Sequence, residues 1–268
     1  MKYLHLLSLC MIGFGVCAPS DGQDSIGSES PNAEQSDRLK TQALQVRAMR
    51  AMQEGDRETA TKAADDLRRL TPDDAQTLRL TGDVYLRCGD YKQAVMQFDR
   101  YLKLRPEALP GLWQRGIALY FAEQYEEGVK QFEVHRRVNP NDVENAAWHF
   151  LCVAKARSFS EAEKLVLPAP NDPRIPMEEV QAMLRDGDTE RVSSKMTSVP
   201  ADSPRRDEAN FYGNFYLGLY ADAKGDEEKA LAYLQKSADG VPHHYMGDVA
   251  RVYVEYLTAQ TTNAEDPR

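Results

Sequence analysis

The sequence predicts an all-α fold in which paired helices stack into a superhelical solenoid, and three observations lead there. Pro72, Pro106 and Pro140 stand 34 residues apart, and Pro242 follows 102 residues after Pro140, three further periods of 34. Gly82, Gly116 and Gly218 keep the same spacing, and Ala60, Ala94, Ala162 and Ala230 share one phase of it. Between these marks apolar residues recur at helical spacing, broken by Gly-Asp pairs at 55–56, 89–90 and 225–226 that read as tight turns between helices. A period held by several residue types at different phases is far more specific than a single motif.

Each element follows in order. Lys2 precedes an apolar run from Leu6 to Val16, 11 residues long. That is too short for a bilayer span, and it reads as the core of a signal peptide over residues 1–20. Cleavage after Ser20 sets Ala18 and Ser20 at the two small-residue positions; cleavage after Ala18 would leave Pro19 next to the cut. The expectation is therefore an exported chain, periplasmic or secreted. A lipid anchor on Cys17 stays open, although Val16 stands where such a site wants a small residue. Residues 21–36 are polar and read as a flexible leader. A helical domain over 37–257 comprises units 41–74, 75–108, 109–142 and 143–176. It continues through a degenerate stretch 177–210, readable as a worn repeat or as an irregular insertion, and a unit 211–244. A terminal helix over 245–257 covers the end of the stack, and 258–268 is a fraying tail.

The letters within the period resemble the tetratricopeptide repeat, a 34-residue helix–turn–helix unit. In 75–108 the matching residues are Leu78, Gly82, Tyr85, Ala94, Phe98 and Pro106, with Tyr101 where a small residue is usual. In 109–142 they are Leu112, Gly116, Leu119, Phe132 and Pro140, with Gly128 and His135 at the small positions. Leu217-Gly218, Ala230, Leu234 and Pro242 mark 211–244, while 41–74 retains Leu44, Ala48, Ala60, Leu67 and Pro72. The glycines let the first helix of a hairpin approach the second, and Phe98, Phe132 and Leu234 are expected to fill the seam between successive hairpins.

Composition excludes several functions. Lys and Arg total 33 against 42 Asp and Glu, a net charge of -9, so the basic face that phosphate binding needs is missing and nucleic acid is not an expected partner. Beyond the signal segment no long apolar run calls for an integral membrane span. No P-loop, H-E-x-x-H, G-x-S-x-G or dinucleotide fingerprint is present, and no cofactor is expected. Among the histidines, His135 and His149 fall on packing phases. His243 and His244, with Asp248, lack a further ligand at metal spacing, so no metal site is expected. Cys88 and Cys152 lie in units two apart, beyond disulfide reach, and read as unpaired thiols. Acid pairs such as Glu126-Glu127 and Glu227-Glu228 begin helices, where the dipole favours them. No catalytic residue is assigned.

In tetratricopeptide folds the first helix of each hairpin lines the concave face. Carried onto this chain, those phases select Arg79, Arg87, Trp113, Ile117, Tyr120, Phe121, Tyr212 and Phe215 as candidate partner-binding residues. Aromatic side chains of this kind anchor a protein or peptide partner, and Arg79 and Arg87, each about one turn from Asp83, are placed to receive a carboxylate. The carboxylate clamp of chaperone-binding members is absent, because Gln45 and Met49 occupy its positions. The same face is equally suited to being closed by the protein's own helices or by a second subunit.

The run from Trp113 to Phe150, with Trp-Gln-Arg-Gly-Ile-Ala-Leu-Tyr near its start and His-Arg-Arg-Val-Asn-Pro-Asn-Asp further on, resembles periplasmic tetratricopeptide lipoproteins. Those proteins serve as adaptors between envelope proteases and cell-wall hydrolases. The resemblance implies a non-catalytic scaffold in the cell envelope. Two other readings stay open: an accessory enzyme or carbohydrate-processing protein with a site near 168–210, where Asp186, Asp188 and Glu190 cluster, and a self-associating structural protein.

Overall fold

A glycine followed by an aspartate ends one helix and starts the next at four places along the chain. In the computed structural model, which describes residues 31–239 and 244–265, Gly55, Gly89, Gly187 and Gly225 have φ of 73°, 89°, 78° and 77°. An L side chain enters that left-handed region only at a cost. The following Asp56, Asp90, Asp188 and Asp226 each accept the backbone N–H three residues on, satisfying a donor that the new helix would otherwise leave unpaired.

The hairpins so formed are α1 (Pro31–Glu54) with α2 (Arg57–Leu70), α3 (Ala75–Cys88) with α4 (Tyr91–Leu104), α9 (Met177–Asp186) with α10 (Thr189–Ser198), and α11 (Arg206–Ala223) with α12 (Glu227–Ala238). Two further pairs use other turns: α5 (Trp113–Phe121) with α6 (Tyr125–His135), and α7 (Val143–Ala156) with the short α8 (Phe159–Lys164). A 3-10 turn over Pro106–Gly111 leads into α5, and α13 (Tyr245–Glu265) closes the described chain. Among the described residues there is no β-strand, and consecutive helices pack in pairs that stack on one another. Residues 177–210, where sequence left a worn repeat and an insertion both open, hold the ten-residue helices α9 and α10.

Three local expectations change. The first helix begins at Pro31 rather than near Asp37, because proline suits a first turn that has no use for its missing N–H. The terminal helix runs past Leu257 to Glu265, since neither glycine nor proline interrupts 248–265. Phe98, Phe132 and Leu234 each pack over the glycine of their own hairpin. A Cβ on Gly82 would lie 2.6 Å from Phe98, one on Gly116 2.5 Å from Phe132, and one on Gly218 2.7 Å from Leu234. The proposed signal segment, the leader up to residue 30 and Pro242-His243 lie outside the described residues.

The core is a single apolar column with aromatic rings at its centre. Tyr120, Phe121, Trp148, Phe215 and Tyr253 are all buried and meet at ring-centroid distances of 5.1 to 6.3 Å. Tyr253 belongs to α13, so that helix lies in the concavity of the stack. On α1, Leu39, Val46 and Met49 stand in solvent. Among the described residues no helix is long and apolar enough to cross a membrane.

Candidate functional site

The helices that line the inner face of the stack are α3, α5, α7 and α11, and α13 rests against them. Its seat is determined by charge as well as by rings. Asp222 of α11 is 1 % exposed and accepts hydrogen bonds from the hydroxyls of Tyr120 and Tyr253, while the Lys155 ammonium lies 2.7 Å away. Burial, reinforced by the neighbouring carboxylate, pushes both phenols well above their ordinary titration range. They therefore remain donors, and the buried carboxylate keeps the partners that an interior charge requires. At the other end of the contact Arg87 of α3 donates to Asp248 of α13, with the Nε bond at 2.9 Å, and Arg251 reaches the second oxygen of the same carboxylate at 2.9 Å. Tyr245 donates to Asp83 at 3.0 Å, and the Tyr91 hydroxyl to the Val252 carbonyl at 3.0 Å.

The residues selected from sequence divide into two groups. Ile117, Tyr120, Phe121 and Phe215 are core side chains beneath α13, none more than 3 % exposed. Arg87 has received a carboxylate, that of the protein's own Asp248. Closure of the concave face by the chain itself, one of the alternatives that the sequence left open, is what the structure holds. Arg79 is exposed, and Trp113 and Tyr212 are half-buried at the margin. Trp113 packs edge-on against Tyr245 with ring centres 4.9 Å apart, and the Arg174 guanidinium lies 5.2 Å from the Tyr212 ring.

What remains of the concavity is a cavity of about 330 Å³ between α5, α7 and the first turn of α13. Its walls include Trp113, Ile117 and Trp148 on the apolar side and Asp142, Glu144 and Arg174 on the polar side. Arg174, in the loop after α8, is fully engaged: Nε donates to Asp172 at 2.9 Å, Nη1 to Glu144, and Nη2 to Asp142 at 2.7 Å. Glu144 also accepts the Tyr216 hydroxyl at 2.7 Å, and Asp142 caps the start of α7. One guanidinium thus faces three carboxylates, and the cluster keeps a negative balance.

The repeat phases that select Trp113 and Ile117 also take in Glu144, but they do not bring Asp142, Asp172 and Arg174 to it. Arg174 and Asp172 sit in a proline-flanked loop where period carries no information. Burial of Asp222 was likewise invisible, although its position on the inner face was not.

Of the acids that cluster near 168–210, Asp186 and Asp188 have structural partners, and Glu190 is exposed in the first turn of α10. Asp188 caps α10, and Asp186 accepts the Asp188 N–H and Arg191, bonds that hold its carboxyl below the usual range. Among the described residues no group of three or more His, Cys, Asp or Glu is arranged to hold a metal ion. His149 is buried with neither ring nitrogen hydrogen-bonded, its Nε2 lying 3.7 Å from the Glu133 carboxylate, and His135 Nδ1 lies 2.7 Å from the Pro110 carbonyl. Cys88 and Cys152 are free thiols; burial alone pushes Cys152 far above its ordinary range. No protein-family model matches the chain.

Proposed function

We propose that this chain is a non-catalytic, tetratricopeptide-type scaffold that holds a protein partner at the margin of its closed concave face and acts in the cell envelope. The observation that carries the reading is the remaining cavity, where Trp113 is half-buried at the edge of an otherwise self-filled groove. Stacked helical hairpins present such margins on rigid elements, and tryptophan is among the residues most enriched at the centres of protein interfaces. Export is supported by the charge and length of the segment before Ala18. For the alternative site near 168–210, Asp186 and Asp188 already serve in capping and pairing.

The test is affinity capture from an extract of the source cells with the wild-type protein and with Trp113→Ala, circular dichroism controlling for fold. Tyr120 is unsuitable because it is core. One protein retained by the wild type and reduced at least tenfold by Trp113→Ala, cross-linked to α5 or α7, is the expected result. Equal capture by both, or no specific protein, removes the reading. Export is checked separately by N-terminal sequencing of protein from the envelope fraction: a start at Asp21 is expected, and an intact Met1 in the cytoplasmic fraction contradicts it.

A further inference from the structure

The cavity at the margin of the groove has a charge, a wall chemistry and a volume that select one class of ligand. On the polar side Asp142, Glu144 and the adjoining Asp172 surround Arg174, leaving two formal negative charges uncompensated within the cluster. Because every arm of that guanidinium already donates to a carboxylate, it has little to offer an anion. Two unpaired acceptors and one unpaired donor, the Trp148 Nε1–H, lie buried in the wall. Asn145 Nδ2 donates to the Phe132 carbonyl, which leaves Oδ1 without a partner. His135 Nδ1 faces the Pro110 carbonyl, which can only accept, so in the neutral ring Nε2 is an acceptor, and it too is unpartnered.

The apolar side is aromatic. Trp148 forms the floor and Trp113 the rim, with Tyr245 edge-on beside it. Electron-rich ring faces attract cations, and tryptophan does so best. The chain uses the same contact on neighbouring rings, with Arg87 over Tyr245 at 5.1 Å and Arg174 over Tyr212 at 5.2 Å. Neither tryptophan is covered by one of these cations.

We propose that the cavity binds a basic side chain, lysine or arginine, of the partner protein. Its aliphatic stem would lie along Trp113 and Ile117, and its ammonium or guanidinium would rest against Asp142 and Glu144. The inference rests on the scaffold reading above and names the chemistry that the partner presents. A cavity of about 330 Å³ suits one long side chain rather than a helix or an extended segment.

The experiment uses a convenience of the sequence: the chain has two tryptophans, and both line this cavity. Intrinsic fluorescence of the full chain therefore reports on this place. Short capped peptides of alanine and glycine carrying one lysine or one arginine are titrated against peptides carrying norleucine or glutamate at the same position, and against n-butylammonium. The basic peptides are expected to give a saturable change that weakens as salt rises, and the norleucine and glutamate peptides none. A second variant, Asn139→Lys, places a cation at an exposed position whose present side chain donates to Asp142 at 3.2 Å. It is expected to weaken peptide binding at least tenfold with the fold unchanged.

Norleucine binding as well as lysine, or no saturable change with either basic peptide, overturns the proposal. Tighter binding of n-butylammonium than of the lysine peptide overturns its assignment to a protein side chain. The outcomes are separable from those of the scaffold test. A partner captured equally by wild type and Asn139→Lys leaves the scaffold standing and removes the basic anchor.

Discussion

Glu123 joins α5 to α6 with φ of 60°, where four other hairpin turns of the chain use glycine. Its neighbour Gln124 occupies the capping position without making the side-chain bond that Asp56, Asp90, Asp188 and Asp226 make. The left-handed conformation costs a residue with a Cβ about 1–2 kcal/mol, offset by roughly 0.5–1 kcal/mol for the freedom glycine loses on folding. Glu123→Gly is therefore expected to stabilise slightly, and Gln124→Asp to add about 1 kcal/mol; urea denaturation of the double variant checks both, and an unchanged midpoint refutes them. At His149 the relevant quantity is a proton. Burial, with a smaller contribution from Arg157, lowers its pKa from 6.5 to about 4. The folded state thus resists a proton that the unfolded chain accepts, so stability from this residue is present above pH 6.5 and is lost as pH falls toward 4. The loss reaches about 3 kcal/mol by the conversion of 1.36 kcal/mol per pKa unit. His149→Leu removes the titrating ring. Unfolding measured from pH 7 to pH 4 should show a flatter profile for the variant than for the wild type.

Within a hairpin, stability turns on how closely two helices approach. An alanine at Gly116 would press on the Phe132 ring at 2.5 Å, whereas nothing lies within 4 Å of a Cβ on Gly111. Gly116→Ala should cost about 1–3 kcal/mol by overpacking, with Gly111→Ala close to neutral, in the same denaturation assay. These contacts are also where sequence was most informative. The Gly-Asp turns at 55–56, 89–90 and 225–226 and the close approach of paired helices at Gly82 and Gly116 follow from local sterics, which repeat with the chain, although the rings that meet those glycines, Phe98 and Phe132, were expected at the seam between hairpins. What repeats cannot encode is what lies against the inner face. Helical period shows that Tyr120, Phe121 and Phe215 point inward together, yet an apolar stripe looks the same whether a partner or α13 covers it. The acid cluster around Arg174 was hidden for the related reason that its members come from a helix start and a loop 30 residues apart.

At the scale of the molecule, α13 changes how the stack holds together. An open solenoid couples only neighbouring units, so its ends fray independently. Here one helix touches α3 near one end and α12 near the other, and its Tyr253 shares a buried carboxylate with α5 and α11. Amides in α3, α7 and α12 should accordingly exchange with one common opening free energy in the full chain, and with separate, lower values once the chain is cut before Tyr245. Distinct values in the uncut protein would refute this coupling. The same helix sets a condition on biosynthesis. Tyr120 and Tyr253 meet across 133 residues. At a translation rate of about 5–20 residues per second, roughly 7 to 27 seconds pass on the ribosome between the synthesis of Tyr120 and that of Tyr253. As each is made, Phe121, then Trp148 and last Phe215 are presented uncovered to whatever chaperone or translocation factor reaches them first. The order of synthesis thus gives such factors a window that folding itself closes only when α13 arrives.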